Sequence, residues 1–123
     1  MLDDISHILI KYIAKVIDAP AFVLFSRKDG GLQVWARSSP DSDLGPHEIA
    51  VAEWTSKHGE IAGAGTQTLA DVKVFFMPMK NQEETVGVIG IEYTYKELLL
   101  DQRRILSAIS SLSSLGAVRW IHV

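Results

Sequence analysis

Apolar residues recur every three or four positions through LDDISHILIKYIAKVID (2–18), so that Leu2, Ile5, Ile8, Leu9, Tyr12, Ile13, Val16 and Ile17 share one helical face. Asp3 or Asp4 can cap its start. Ala19-Pro20 ends it, because the residue before a proline is pushed out of the helical region. The period then drops to two. AFVLFSR (21–27) and LQVWARS (32–38) are rich in β-branched and aromatic residues, and the KDGG between them carries the Asp29-Gly30 chemistry of a tight turn, which predicts a hairpin. After a turn-rich stretch (39–46), HEIAVAEWTSKH (47–58) returns to helical spacing through Ile49, Ala52 or Ala50, and Trp54, with Gly59 where a C-cap glycine belongs. VKVFFMPMK (72–80) and TVGVIGIEYT (85–94) read as two further strands around a short polar turn. Both are apolar at consecutive positions, which predicts cover on both faces of the sheet. Pro78 has no amide hydrogen to give to a ladder and points to an edge or irregular position. Gly87 and Gly90 leave room for something packed close above them, a side chain or a ligand. The closing helix starts at an Asp101 cap and carries Ile105, Ala108, Ile109, Leu112, Leu115 and Val118 on one face. Its other face holds Ser107, Ser110, Ser111 and Ser114, which suits either a closely approaching helix or contact with water.

This order predicts an α+β fold. Hairpin-linked strands with helices at both ends form an antiparallel sheet of about five or six strands. The two amphipathic terminal helices are expected side by side on one face, and the middle helix and the glycine-rich loop on the other. A chain of 123 residues makes one domain with one core, so residues 1–123 are read as a single unit.

The run GEIAGAGTQTL (59–69) is the densest candidate for chemistry. A phosphate-binding Walker loop ends in lysine and a hydroxyl residue, and a dinucleotide fingerprint has a strand before it and a helix after it. Here the order is helix before and strand after, and no Gly-Lys-Ser/Thr step ends the run. The glycines therefore read either as backbone turns at positive φ or as ligand contacts, with the hydroxyls of Thr66 and Thr68 turned toward a pocket. Glu92 is an acid within an apolar strand beside Gly90, placed either where the strand emerges into water, beside a basic neighbour, or in a pocket. Phe75, Phe76, Met77 and Met79 line a cavity or fill the core, and Trp54 is core or pocket wall. His7, His47, His58 and His122 never reach metal-ligand spacing, no G-x-S-x-G elbow is present, and no paired carboxylates stand in an apolar frame.

Composition narrows the function classes. A net charge of −3 with scattered basic residues argues against nucleic acid or an anionic membrane surface as partner. The sequence has no cysteine, which excludes disulfides, thiolate metal sites and cysteine-linked chromophores. No apolar run approaches the ~20 residues of a membrane span and no leader-like series opens the chain, so a soluble domain without direct membrane insertion is expected.

The block VAEWTSKHGEIAGAGTQTL, with Trp54, Gly59, Ala62-Gly63, Gly65-Thr66 and Thr68-Leu69, resembles the W-x4-G-x2-AG-x-GT-x-TL segment of the GAF domains in KdpD-type potassium-responsive sensor histidine kinases. FFMPMKNQEETVGVIGIE is similar to the hairpin that follows in that family, and DQRRILSAISSL to the start of its closing helix. Together these cover most of residues 50–112. Family members often have proline at positions 61 and 70 and aspartate at 67, where this chain has Ile61, Ala70 and Gln67. The resemblance implies a non-catalytic sensory module without cofactor, a fragment of a longer two-component kinase, with a small-molecule pocket in some members. It implies a cytoplasmic domain of a protein in the bacterial inner membrane, working with the kinase's other domains and as a homodimer through its terminal helices. The residues that resemblance and pattern together place at a pocket are Trp54, Gly63, Gly65, Thr66, Thr68, Phe76 and Glu92. The phosphoacceptor box is missing here, as is the cyclic-nucleotide signature N-K-x-F-D-E. The alternative is a structural dimerisation scaffold whose pocket is filled by its own side chains. Reactive cysteines would be needed for the reductase chemistry of a related small enzyme, and there are none.

Overall fold

The computed structural model describes residues 2–80, 84–92 and 102–111. Helix α1 (Leu2–Ile17) leads into strands β1 (Ala21–Ser26) and β2 (Leu32–Arg37), then helix α2 (Pro46–His58), a two-residue strand β3 (Ala62–Gly63), and strands β4 (Val74–Lys80) and β5 (Thr85–Glu92). A further helix, α3, occupies 102–111. The expected Asp101 cap, the polar turn at 81–83, the last two residues of the 85–94 strand, His122 and the helical positions Leu112, Ser114, Leu115 and Val118 lie outside the described residues. So do the side chains of Leu2, Asp3 and Ile5.

All five strands join one antiparallel sheet in the order β2-β1-β5-β4-β3. The first and last described strands in sequence are thus neighbours at its centre, with Phe22 opposite Gly90 and Leu24 opposite Val88. Beyond the Ala21–Ile91 pair, Glu92 N–H donates to the Pro20 carbonyl at 2.9 Å. The β1–β2 hairpin turns through three residues rather than two. Gly30 N–H donates to Arg27 O at 3.1 Å, Gly30 adopts φ +93°, and Asp29 accepts from Gly31 N–H at 3.0 Å. That is a type I turn completed by a left-handed glycine, which preserves the strand twist.

Strand alternation divides the core into two layers. Leu9, Ile10, Ile13 and Ile17 of α1 and Leu106 of α3 enter one cluster with Val23, Phe25, Phe75, Met77, Ile89 and Ile91. Both terminal helices therefore cover the same face of the sheet. The opposite face holds Phe22, Leu24, Val74, Phe76 and Val88 against Val51 and Ala52 of α2. Each large side chain buried this way contributes about 1.5–3 kcal/mol.

Helix ends follow local chemistry. α1 closes with Asp18 in the left-handed region at φ +56°, ahead of Ala19-Pro20. α2 starts after Gly45 with Pro46 in its first turn, and ends at Gly59, whose φ of +66° and N–H bond to Thr55 O make a left-handed cap. Its buried residues are Val51, Ala52 and Thr55, whereas Ile49 and Trp54 are half-buried and Ala50 is exposed. Of the line expected from spacing, Ala52 is fully buried and Ile49 and Trp54 pack partly buried against the same layer, while Val51 and Thr55 widen the inward stripe.

Gly87 and Gly90 make room for side chains. A Cβ on Gly87 would collide with Met79 and with the Leu24 carbonyl, and one on Gly90 would lie 3.0 Å from the Phe76 ring. Pro78 lies beyond the reach of β3, which pairs only with Phe75 and Phe76, so its missing N–H interrupts no ladder on that side.

Candidate functional site

The glycine-rich run closes on itself at the β3 edge of the sheet. Gly63 N–H donates to Thr68 O at 2.8 Å and Thr66 N–H to Gly63 O at 3.1 Å. The Thr66 hydroxyl lies 2.8 Å from both the Gly63 and the Thr68 carbonyl oxygens and accepts from Thr68 N–H at 3.1 Å. The hydroxyl's one proton is thus used inside the loop, on one or other of these carbonyls. Gly63 and Gly65 adopt φ of +92° and +76°, as the turn reading of the run requires. Leu69, at φ +52°, pays a strain that a glycine would not, and its side chain is exposed. Ala64 N–H donates to Val74 O at 3.0 Å, which fastens the loop to β4.

Three other candidates lie toward α2. Phe76 is fully buried in the α2-side layer, where Trp54 also packs with part of its ring exposed. Trp54 stacks on His58 with centroids 4.2 Å apart. Glu92, half-buried at the end of β5 and opposite Val74, shares that face with Val88 and Gly90 by strand alternation. The fold thus brings Trp54, Phe76 and Glu92 to one side of the sheet, and gathers Gly63, Gly65, Thr66 and Thr68 into a single loop at its edge. The volume between α2 and the sheet is occupied by the chain's own Phe22, Leu24, Val51, Ala52 and Phe76. Thr55, fully buried on α2, has a hydroxyl with no hydrogen-bond partner.

Spacing alone missed the residues that join the loop to the terminal-helix side. Arg103 on α3 donates to Gly65 O at 2.8 Å and lays its guanidinium 5.0 Å from the centroid of the Phe75 ring. Ser110, one of the small residues of α3, is buried and donates to Pro78 O at 2.7 Å. The serine face is therefore not uniform, since Ser107 and Ser111 are exposed. A helical count from Leu106 to Ser110 would have placed that serine inward, but nothing in the sequence marks its acceptor. Among the described residues, no three His, Asp or Glu side chains form a group that could hold a metal ion. None of the described helices is long and apolar enough to cross a membrane.

Known proteins share this arrangement. The GAF domain family model matches residues 1–116. Sensor protein KdpD of Escherichia coli is 31% identical over 111 residues, which cover 89% of this chain and 12% of that protein. Sensor protein KdpD of Clostridium acetobutylicum is 25% identical over 113 residues, 92% of this chain and again 12% of the relative. The chain thus spans about an eighth of the curated relatives it matches. The crystal structure of the GAF domain of the E. coli potassium sensor histidine kinase KdpD superimposes with a TM-score of 0.79 at 30% identity, covering 94% of this chain and 80% of that one. A GAF domain/HD domain protein from Geobacter sulfurreducens shares the fold with a TM-score of 0.73 at 12% identity, over 98% of this chain and 94% of that one. With its central β1–β5 pair, two core layers and glycine-rich edge loop, the chain belongs to the GAF domain family and is a KdpD-like member of it.

Proposed function

We propose that this domain is a non-catalytic regulatory module of a KdpD-like sensor histidine kinase responding to potassium or osmotic conditions, on the cytoplasmic side of a bacterial inner membrane. The observation that carries the reading is the docking of α3. Arg103 and Ser110 hold that helix to two backbone carbonyls, one in the glycine loop and one on β4, so the loop and the helix share a mechanical link. A signal that rearranges the α2 face, around Trp54, Phe76 and Glu92, or the loop of Gly63, Gly65, Thr66 and Thr68, changes the relative weight of two packings of the terminal helices. Those helices pass the change to the kinase core. A second copy meets the outward side of α1, where Ile8 and Tyr12, one turn apart, are 66% and 64% exposed. Light scattering across protein concentrations tests this, with modest self-association expected and a strict monomer counting against it.

The relay is tested by exchanging this domain for the GAF domain of the E. coli relative and following autophosphorylation across K⁺ concentrations. Retained K⁺ regulation that disappears when Arg103→Gln and Ser110→Ala are combined is the expected result. A swapped kinase that no longer responds to K⁺ would refute the regulatory assignment, and regulation that survives both substitutions would refute the helix relay.

One observation favours a second reading, a dimerisation scaffold without a ligand. Phe76 and its neighbours fill the α2 side with the chain's own side chains. A thermal-shift screen against nucleotides, osmolytes and K⁺ salts separates the two, because a ligand that binds only the folded domain raises Tm with its excess over Kd.

A further inference from the structure

Helix α2 is fastened to the sheet by less than either terminal helix. α1 buries Leu9, Ile10, Ile13 and Ile17, and α3 adds two carbonyl bonds, from Arg103 and Ser110, to its buried Leu106. α2 buries only Val51, Ala52 and Thr55, three small side chains, with Ile49 and Trp54 part of the way in. Among the described residues, the side-chain hydrogen bond that α2 makes runs from the His58 ring to Trp54 O at 2.9 Å and stays within the helix, as does the stack of those two rings. Its start has no side-chain cap, since Gly45 offers none.

One of the three buried side chains also works against burial. Thr55 is 0% exposed, and its hydroxyl has no hydrogen-bond partner. A helical threonine can bond the carbonyl three or four residues back, and here it does not. The layer on which α2 lies is apolar and offers no acceptor in exchange. A hydroxyl buried unpaired loses its bonds with water and gains none, so it favours the state in which α2 is off the sheet. Little apolar area holds the helix down, and the hydroxyl opposes even that.

Length makes the opening cooperative. α2 has 13 residues, and a helix of that size is marginal alone in water, so lifting it also unwinds it. The sheet does not need it to stay folded. On the far face, Val23, Phe25, Ile89 and Ile91 remain packed under the terminal helices.

We propose that α2 is a lid that opens as one unit, from Ile49 to His58, while the sheet and its terminal-helix layer stay folded, and that the unpaired Thr55 hydroxyl sets how often it opens. An open lid uncovers Phe22, Val74, Phe76 and Val88. That is the face on which the regulatory reading places the signal, so the lid's use in signalling rests on that reading, whereas the opening itself does not.

Native-state hydrogen exchange of this chain in rising, sub-denaturing urea tests the lid. The amides from Ile49 to His58 should converge on one opening, at least about a hundredfold more frequent than the one that releases the central β1–β5 amides, and with a weaker dependence on urea. Thr55→Val replaces the hydroxyl by a methyl of the same shape at nearly the same helix propensity, and should slow α2 exchange at least about fivefold. Thr55→Ser keeps the hydroxyl and loses a methyl, and should speed it. The proposal is overturned if the α2 amides open residue by residue, or if they exchange only together with the β1–β5 amides at the same rate and urea dependence. It is equally overturned if Thr55→Val exchanges as fast as the parent or faster, which would mean that the hydroxyl is bonded after all, or if Thr55→Ser slows exchange as Thr55→Val does. Each of these failures leaves the relay of Arg103 and Ser110 to its own test, since that relay runs through α3.

Discussion

Gly63 and Gly30 provide a matched pair that isolates the role of the glycine loop. Their φ angles are +92° and +93°, so alanine at either position carries the same backbone penalty, about 1–2 kcal/mol for a left-handed L-residue. Their surroundings differ completely. A Cβ on Gly30 meets nothing within 4 Å, whereas one on Gly63 falls onto the Val74 carbonyl oxygen and 3.3 Å from a Val72 methyl. Backbone cannot rotate away as a flexible side chain can, so β3 and β4 must separate. The bond from Ala64 N–H to Val74 O, now 3.0 Å, is then broken where Ala64 and Val74 are both buried. A buried donor or acceptor left unpaired costs about 1–3 kcal/mol. Gly63→Ala should therefore lose about 2–5 kcal/mol and Gly30→Ala about 1–2 kcal/mol. For a domain of this size, each kcal/mol moves Tm by roughly 3–5 °C. Urea unfolding with a shared m value gives both losses directly. Equal losses from the two substitutions would show that the close approach of β4 is not what demands glycine at position 63, and the steric account of the loop would fail.

Three further expectations concern separate parts of the fold. Phe76→Ala should cost about 3–5 kcal/mol, since the ring is fully buried and seated over Gly90 and Ala62; a loss under about 1 kcal/mol in urea unfolding would mean the α2-side layer is loosely packed. Arg103→Gln should cost under about 1 kcal/mol, because a partly exposed cation–π contact and a single carbonyl bond are weak. Hydrogen exchange at Gly63 and Thr66 should nonetheless speed several-fold while the β1–β5 amides stay protected, and unchanged loop exchange would break the proposed link from α3 to the loop. Asp29 is held below its ordinary value of 3.8, chiefly by the Gly31 N–H and next by the charge of Arg27. A depressed folded value means that the stabilisation is present above the ordinary value and lost as pH falls through the lower folded one. The stability difference between the parent and Asp29→Asn should thus hold from pH 7 to about 5 and shrink below about pH 4; a difference that grows toward acid would contradict the assignment.

Much of the architecture was legible because it depends on local periodicity. The spacing of Leu9, Ile13 and Ile17, the alternation through Phe22 to Phe25, and Gly59 as a cap each depend on a few neighbouring residues, and each reappears in the structure. The family block around Trp54 and Gly63 was legible for the same reason, being contiguous. Other features escaped because they depend on partners far along the chain: Ile8 and Tyr12 of α1 and Ile105 of α3, expected on the apolar faces, are exposed, while Ile10 and Leu106 are buried in their place. The inward stripe of α2 takes in Val51 and Thr55 beside the expected Ala52, since the sheet beneath it, through Val88 and Phe76, determines which side of a weakly amphipathic helix is buried. The serines of α3 looked equivalent, but only Ser110 meets an acceptor, and that acceptor exists because Pro78 lies past the end of β3.

These long-range choices are also where the domain has most freedom to act. A two-residue edge strand leaves the Pro78 carbonyl without a strand partner beyond it, and one serine hydroxyl takes that place. An exchange of that kind nets only about 0.5–1.5 kcal/mol, small enough for a modest signal to reverse. The central β1–β5 pair, with Val23, Leu24, Val88 and Ile89 wholly buried, lies outside that range. A rigid centre beside a weakly fastened α3 and glycine loop is what the proposed relay requires, since a change at the edge could then shift a helix without unfolding the sheet.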